Sequence, residues 1–263
     1  MTFIKLMRYQ LASMLTVSKL LINVIVYAAN VWLVYVLYAD LIPGSFLSAT
    51  AFMFYLPLNP TFDMLRWLLV LLPLLLVVGS FTDFQLKEQS TYLLLQMRSY
   101  RMWWQSFALA TIISTITFFA SGYMVTMLLV KSLSLNLKSR LVDEYLMTFS
   151  TSSGAGGFLL RQFSLLVLST LVLVFIMILI RFLFNHSGLS FTGVTISLVL
   201  SITLSSMGPA VGHFLPLSYG FLAFEYNQPF FRSMAILLLT MFVLYFFSWI
   251  TFKKRKEVLF GLT

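Results

Sequence analysis

Residues Phe163–Phe184 read FSLLVLSTLVLVFIMILIRFLF, an apolar run whose one charge, Arg181, stands near its end. A hydrocarbon core about 30 Å thick is crossed by roughly 20 apolar residues wound as an α-helix, so this run alone is long enough to span a bilayer. Five more runs of the same kind flank it, at Leu20–Tyr38, Trp67–Phe84, Ser106–Val130, Leu189–Ser206 and Ser233–Phe252. They are continuously apolar, with none of the residue-by-residue alternation of a lipid-facing barrel strand. The expected fold is all-α: a polytopic membrane helix bundle with six transmembrane helices, forming one domain over residues 1–263.

Composition agrees with that reading. Of the 263 residues 60% are apolar and 10% charged, and mean hydropathy is +0.96, outside the range of soluble globular domains. With six spans, 11 of the 17 Lys and Arg fall on the side that holds both termini, and the other six (Arg66, Lys131, Lys138, Arg140, Arg161, Arg232) on the opposite side. Positive charge collects on the cytoplasmic side, which predicts a multi-pass plasma-membrane protein with both termini cytoplasmic. The net charge of +9 thus reads as topology and attraction to anionic lipid heads, not nucleic-acid binding. Cysteine is absent, which excludes disulfides and thiolate chemistry and lets single cysteines at Ser90 and Ser218 report the two faces.

The connecting segments carry the remaining information. In residues 1–19, Lys5, Arg8, Ala12, Thr16 and Lys19 share one helical face and Ile4, Met7, Leu11 and Met14 another, the pattern of an interfacial helix; a plain positive flank to a retained first span fits the same residues. Residues 85–105, QLKEQSTYLLLQMRSYRMWWQ, read as an amphipathic cytoplasmic helix. Leu93, Met97, Tyr100 and Trp104 make its apolar stripe, and Lys87, Thr91, Arg98, Arg101 and Gln105 its polar one. The loop after the first span keeps apolar character (Phe46, Leu47, Phe52, Met53, Phe54, Tyr55) between Pro43 and Pro60 and is expected to dip toward the membrane. Pro73 predicts a kink in the second span. In residues 131–161, STSSGAGG reads as a flexible turn and Asp143-Glu144 as a solvated helix face.

Residues 207–230 are too apolar for an ordinary loop and too broken by Gly208, Pro209, Gly212, Pro216, Gly220 and Pro229 for a span. Backbone at membrane depth must find its partners in protein or along a wet cavity. The segment is therefore expected to be extracellular and re-entrant, with Gly208, Pro209, Gly212 and Pro216 at an outer gate; a hydrophobic surface loop is the other reading.

Chemistry of other kinds finds little support. His186 and His213 fall at span ends on opposite sides, and no carboxylate falls at the centre of a span, so neither a two-histidine metal site nor a proton-coupled path is expected. Ser, Thr, Asn23 and Asn30 within spans are expected to join helices rather than bind substrate. The chain has no G-x-x-x-x-G-K-[ST] loop, so any nucleotide must be bound by another chain.

This layout resembles the membrane subunit of ABC-2 type ABC transporters over essentially the whole chain. The likeness rests on the N-terminal amphipathic helix, six spans with both ends inside, the amphipathic loop between spans two and three, the broken segment between spans five and six, the basic tail Lys253–Lys256, and MRSYRMWWQSF at the start of the third span. It implies an exporter permease without its own ATPase site. Two ABC ATPase subunits, binding ATP and Mg, would drive it, and a second permease copy or paralogue would complete a path lined by spans one, two and five. Lys87, Glu88, Thr91, Arg98 and Arg101 would then belong to the coupling helix. The apolar, aromatic-rich composition suggests amphipathic cargo such as a peptide, a lipid-linked molecule or a drug. Two other classes stay open: a membrane immunity or sensor protein, and a lipid-modifying enzyme using Glu225 or His213.

Overall fold

The computed structural model describes residues 2–38, 42, 46–54, 60–88, 99–133, 154–206, 215–220 and 229–259. Among them there is no strand. The helices are α1 (Phe3–Met14), α2 (Val17–Tyr38), α3 (Phe46–Met53), α4 (Pro60–Asp83, continued by a π-turn at Phe84–Glu88), α5 (Tyr100–Ser132), α6 (Gly154–Phe184), α7 (Ser187–Ser206) and α8 (Phe230–Leu259), with a short 3-10 turn at Pro216–Gly220. Six of them, α2 and α4 to α8, are long and apolar enough to cross a membrane. The chain is a multi-pass membrane helix bundle. Several helices outrun the bilayer: the 33 residues of α5 make a rod about 50 Å long, which carries both ends past the hydrocarbon.

Helix α6, which contains the run Phe163–Phe184, is the hub. It packs on α7, α8, the 3-10 turn, α3, α4 and α5, and Leu165, Val174, Phe175 and Phe182 along its length have no solvent exposure. A span hydrophobic all round is suited to such a central position. Its glycine-containing start was expected to be a turn, yet Gly154–Gly157 form its first helical residues. Glycine costs a helix about 1 kcal/mol relative to alanine, and tertiary packing overrides so weak a preference.

Helix α6 turns into α7 through two residues. Asn185 takes a left-handed conformation, φ 51°, with its N–H donating to the Arg181 carbonyl at 2.9 Å; an asparagine tolerates that region and closes the helix. His186 then accepts the Leu189 N–H on Nδ1 at 3.3 Å, so this histidine caps α7.

Side-chain contacts fix which helix ends lie together. At one end, called proximal, Asp83 of α4 meets Arg181 of α6, Trp103 of α5 stacks on Phe252 of α8, and Arg255 of α8 donates to the Phe182 carbonyl of α6. At the distal end Asn30 of α2 and Gln162 of α6 both reach α3, and Arg161 of α6 lies over the ring of Phe230 of α8. Helix α2 runs parallel to α5, Asn23 donating to the Phe118 carbonyl and to Ser121. The beginning of α2 and the end of α8 therefore point toward the same end, as the parity of six spans requires.

Helix α1 differs from expectation in the face it buries. Leu6, Gln10 and Met14 are fully buried against the bundle, whereas Ile4, placed on the apolar stripe by spacing, is 58% exposed. The helix docks on α5, where Ser114 donates to the Met14 sulfur at 3.3 Å, so the surface of α5 selects the buried face. Lys5, Arg8, Ala12 and Thr16 are exposed, as their spacing predicts.

A second close fit joins α2 to α5. A Cβ built on Gly122 would lie 2.2 Å from the Tyr27 ring, so the ring rests on bare backbone. Replacing Gly122 by alanine should cost about 1–3 kcal/mol by overpacking, read as a lower midpoint of thermal unfolding, with partial recovery when Tyr27 is also replaced by leucine. Topology is checked by labelling. Ser218 is fully buried and unsuited to it, so the distal reporter becomes Ser132, exposed at the end of α5. Single cysteines at Ser99 and Asn185 should react from one side of the membrane and a cysteine at Ser132 from the other; the same sidedness for all three would overturn the arrangement.

Candidate functional site

Among the described residues, polar side chains gather inside the bundle toward each of its ends. The proximal cluster forms where α4 hands over to the loop that follows it. Asp83 ends the α-helix, and the next five residues widen into a π-turn. Such turns are rare and often mark functional positions. Gln85 within the turn is fully buried and accepts the indole N–H of Trp103 at 3.4 Å, which pins the exit from α4 to the first turns of α5. Helix α5 begins at a defined cap: Ser99 is extended (φ −162°, ψ 133°) and its Oγ accepts the Met102 N–H at 3.3 Å.

This cap interrupts the single helix expected over residues 85–105. Gln85–Glu88 belong to the π-turn and Tyr100–Gln105 to the first turns of the third span. Trp103 and Trp104, 0% and 1% exposed, sit in an aromatic cluster with Phe107, Phe182 and Phe252, the Trp103 and Phe107 rings stacked at 5.2 Å. Trp104, assigned by spacing to the apolar stripe of a loop helix, is therefore a bundle residue. Sequence could not separate the two because an amphipathic stripe and the first turns of a buried helix share one period.

Of the expected coupling residues, Arg101 is exposed on the first turn of α5. Lys87 and Glu88 lie in the π-turn. Thr91 and Arg98 fall outside the described residues. Exit and return of the loop are thus held together by Gln85 and Trp103, with Arg101 two residues before the tryptophan.

Directly behind the turn lies a feature the sequence reading did not single out. Arg181 of α6, only 2% exposed, donates from Nε to Asp83 Oδ1 at 2.6 Å and from Nη1 to Asn185 Oδ1 at 2.7 Å. Opposite charges at this distance in a poorly solvated setting attract strongly, and the contact repays the cost of burying the guanidinium only while the partner remains. The six-span topology puts Arg181 on the cytoplasmic side, and Asp83 falls outside the centre of its span, but the sequence does not say that these two spans are neighbours.

The distal cluster is built on α3. The eight residues of this helix are mostly buried, Ala49, Thr50, Ala51 and Met53 at 2% exposure or less, against α2, α5 and α6. Its C-terminal carbonyls are taken by three spans: Met53 O accepts from Asn30 at 3.4 Å and from Arg66 Nη1 at 3.0 Å, and Ala51 O accepts from Gln162 Nε2 at 3.0 Å. Tyr123 donates to Gln162 Oε1 at 3.3 Å and its ring stacks on Phe54 at 3.9 Å. The last carbonyls of a helix have no partner within it and carry its negative pole, so a cation and two amides answer both needs.

The first connecting loop, expected to dip toward the membrane, thus holds a short helix packed against α2, α5 and α6. The broken segment over residues 207–230 is partly described: Leu217–Gly220 are buried on α6 and α8, and a Cβ on Gly220 would lie 2.2 Å from Ser169 Cβ. Pro216 opens that 3-10 turn, whereas Gly208, Pro209 and Gly212 lie outside the described residues, as do Glu225 and His213. Hydroxyls within the spans mostly donate to the carbonyl one turn back, as Thr111, Thr115 and Thr195 do, in keeping with a structural use.

Compared with protein-family models, curated proteins and solved structures, the chain matches none of them.

The ion pair generates a test of its own. Replacing Asp83 by asparagine should destabilise the protein by about 3–5 kcal/mol by leaving the Arg181 guanidinium buried without its counter-charge, whereas Asp83→Leu combined with Arg181→Met should recover most of the loss. Thermal unfolding of the purified variants distinguishes these outcomes.

Proposed function

We propose that this chain is the transmembrane subunit of an ATP-driven exporter of the ABC-2 type, powered by a separate ATPase and acting with a second permease copy or paralogue. The observation that carries the reading is the join between α4 and α5. A π-turn leads out of the bundle, a serine cap leads back in, Gln85 and Trp103 bind the two, and a buried ion pair to the hub helix stands at the root. A partner that pressed on this loop would act on Asp83 through five residues of π-helix and on α5 through its first turn. Differential contact of the ATPase with the loop in its ATP-bound and free states would then shift the balance between two bundle arrangements.

The re-entrant elements at the far end suit an outer gate, since α3 and Leu217–Gly220 both rest on α6. Lys87, Glu88, Thr91, Arg98 and Arg101 would face the ATPase, which supplies the nucleotide site with ATP and Mg. The cargo in this reading is amphipathic and leaves the cell across the plasma membrane.

The reading is tested by purifying the tagged chain from its native membranes. A soluble subunit with ATPase activity should accompany it, and Glu88→Lys with Arg101→Glu should cut the recovered ATPase several-fold while membrane insertion is unchanged. Recovery of the chain alone, or unchanged ATPase association and hydrolysis in the double variant, would reject the proposal.

A further inference from the structure

Behind the Asp83–Arg181 pair lies a small cavity of about 10 Å³ where three spans meet. It is lined by Gly79 and Thr82 of α4, Met177, Ile178 and Arg181 of α6, and Ser190 of α7. The pocket is partly open to its surroundings, and that volume is about the least that holds one water molecule. The hydrogen bonding of the lining selects among small occupants. Arg181 Nε and Nη1 are taken by Asp83 and Asn185, and Nη2 is buried with no protein partner. Thr82 Oγ1 donates to the Val78 carbonyl at 2.7 Å and Ser190 Oγ to the Ser187 carbonyl at 2.7 Å. Both hydroxyl protons are therefore committed, leaving lone pairs as acceptors, while the guanidinium offers only donors.

A monatomic anion needs donors on every side and would meet two oxygens. A metal cation would meet a guanidinium. An apolar filling would strand Nη2, and a buried unsatisfied donor on a charged group costs more than the 1–3 kcal/mol of a neutral one. Water alone among these accepts one hydrogen bond and donates two.

We propose that this cavity is a binding site for a single structural water that accepts from Arg181 Nη2 and donates to Thr82 Oγ1 and Ser190 Oγ, joining α4, α6 and α7. The water acts as polar glue between spans where lipid offers no hydrophobic drive for association. It also keeps the guanidinium partly solvated, so the pair with Asp83 can lengthen without leaving Arg181 dry. This inference stands on the cavity and its donors and acceptors, independently of the transport reading.

Gly79 supplies the test. A Cβ built there meets only Met177 Cε and Sδ at 3.9 Å, an ordinary contact, so alanine adds a methyl to the cavity wall without clash. In a dry cavity that methyl fills a void, and alanine also suits a helix better than glycine, so the unfolding midpoint should rise. In a wet one it displaces the water and strands Nη2. Gly79→Ala should therefore lower the midpoint by about 2–4 °C in the parent chain and raise it in the Asp83→Leu, Arg181→Met background, where no guanidinium needs the water. An equal rise in both would overturn the site. As a second measurement on the parent protein, an experimental structure at water-resolving resolution should show density within hydrogen-bond distance of Arg181 Nη2, Thr82 Oγ1 and Ser190 Oγ; an empty cavity there would overturn it as well.

Discussion

In hydrocarbon no water is at hand for a stray N–H or C=O, so every backbone polar group within the membrane has to find its partner in the protein. The spans meet that constraint by being helices. The ends of helices need partners of their own, because their last polar groups find none within the helix. The end of α3 is the clearest case, its Ala51 and Met53 carbonyls held by Gln162, Asn30 and Arg66 from three different helices. Within the turn from α6 to α7, Asn185 and His186 close one helix and open the next.

The same constraint explains why α6 is central. A short buried element needs a protein wall on which to rest, and α6 provides it for both α3 and the 3-10 turn. Its one deeply buried charge, Arg181, sits at the proximal end, where Asp83 and Asn185 neutralise and orient it. Burial of that guanidinium contributes less to net stability than an apolar residue of the same shape would, so its value lies in position. It fixes α4 to α6 at the point where the chain leaves for the loop.

The two ends of the bundle are stabilised in different ways. The proximal end is aromatic: Trp103, Trp104, Phe107, Phe182 and Phe252 pack around one another, giving large contact area and offset ring geometries. The distal end is amide-rich and tyrosine-rich, with directional hydrogen bonds to a short helix. Each end mixes the two, since Arg181 bonds Asp83 and Asn185 at the proximal end and Tyr123 stacks on Phe54 at the distal one.

By itself the sequence determined the number of spans, their places in the chain and their alternating direction, because the bilayer imposes a length and a hydropathy that any run of Leu, Val, Ile and Phe declares locally. It also marked which connections were unusual, since apolar residues broken by proline and glycine are legible as such. What the sequence left open was decided by neighbours. The face of α1 that is buried follows from the surface of α5; the assignment of Trp104 to span rather than loop follows from Phe182 and Phe252; the pairing of Asp83 with Arg181 joins residues 98 apart. Lipid removes the hydrophobic difference between one apolar face and another, so helical period no longer says which face meets protein. Only tertiary packing, through shape and the pairing of scarce polar groups, could choose.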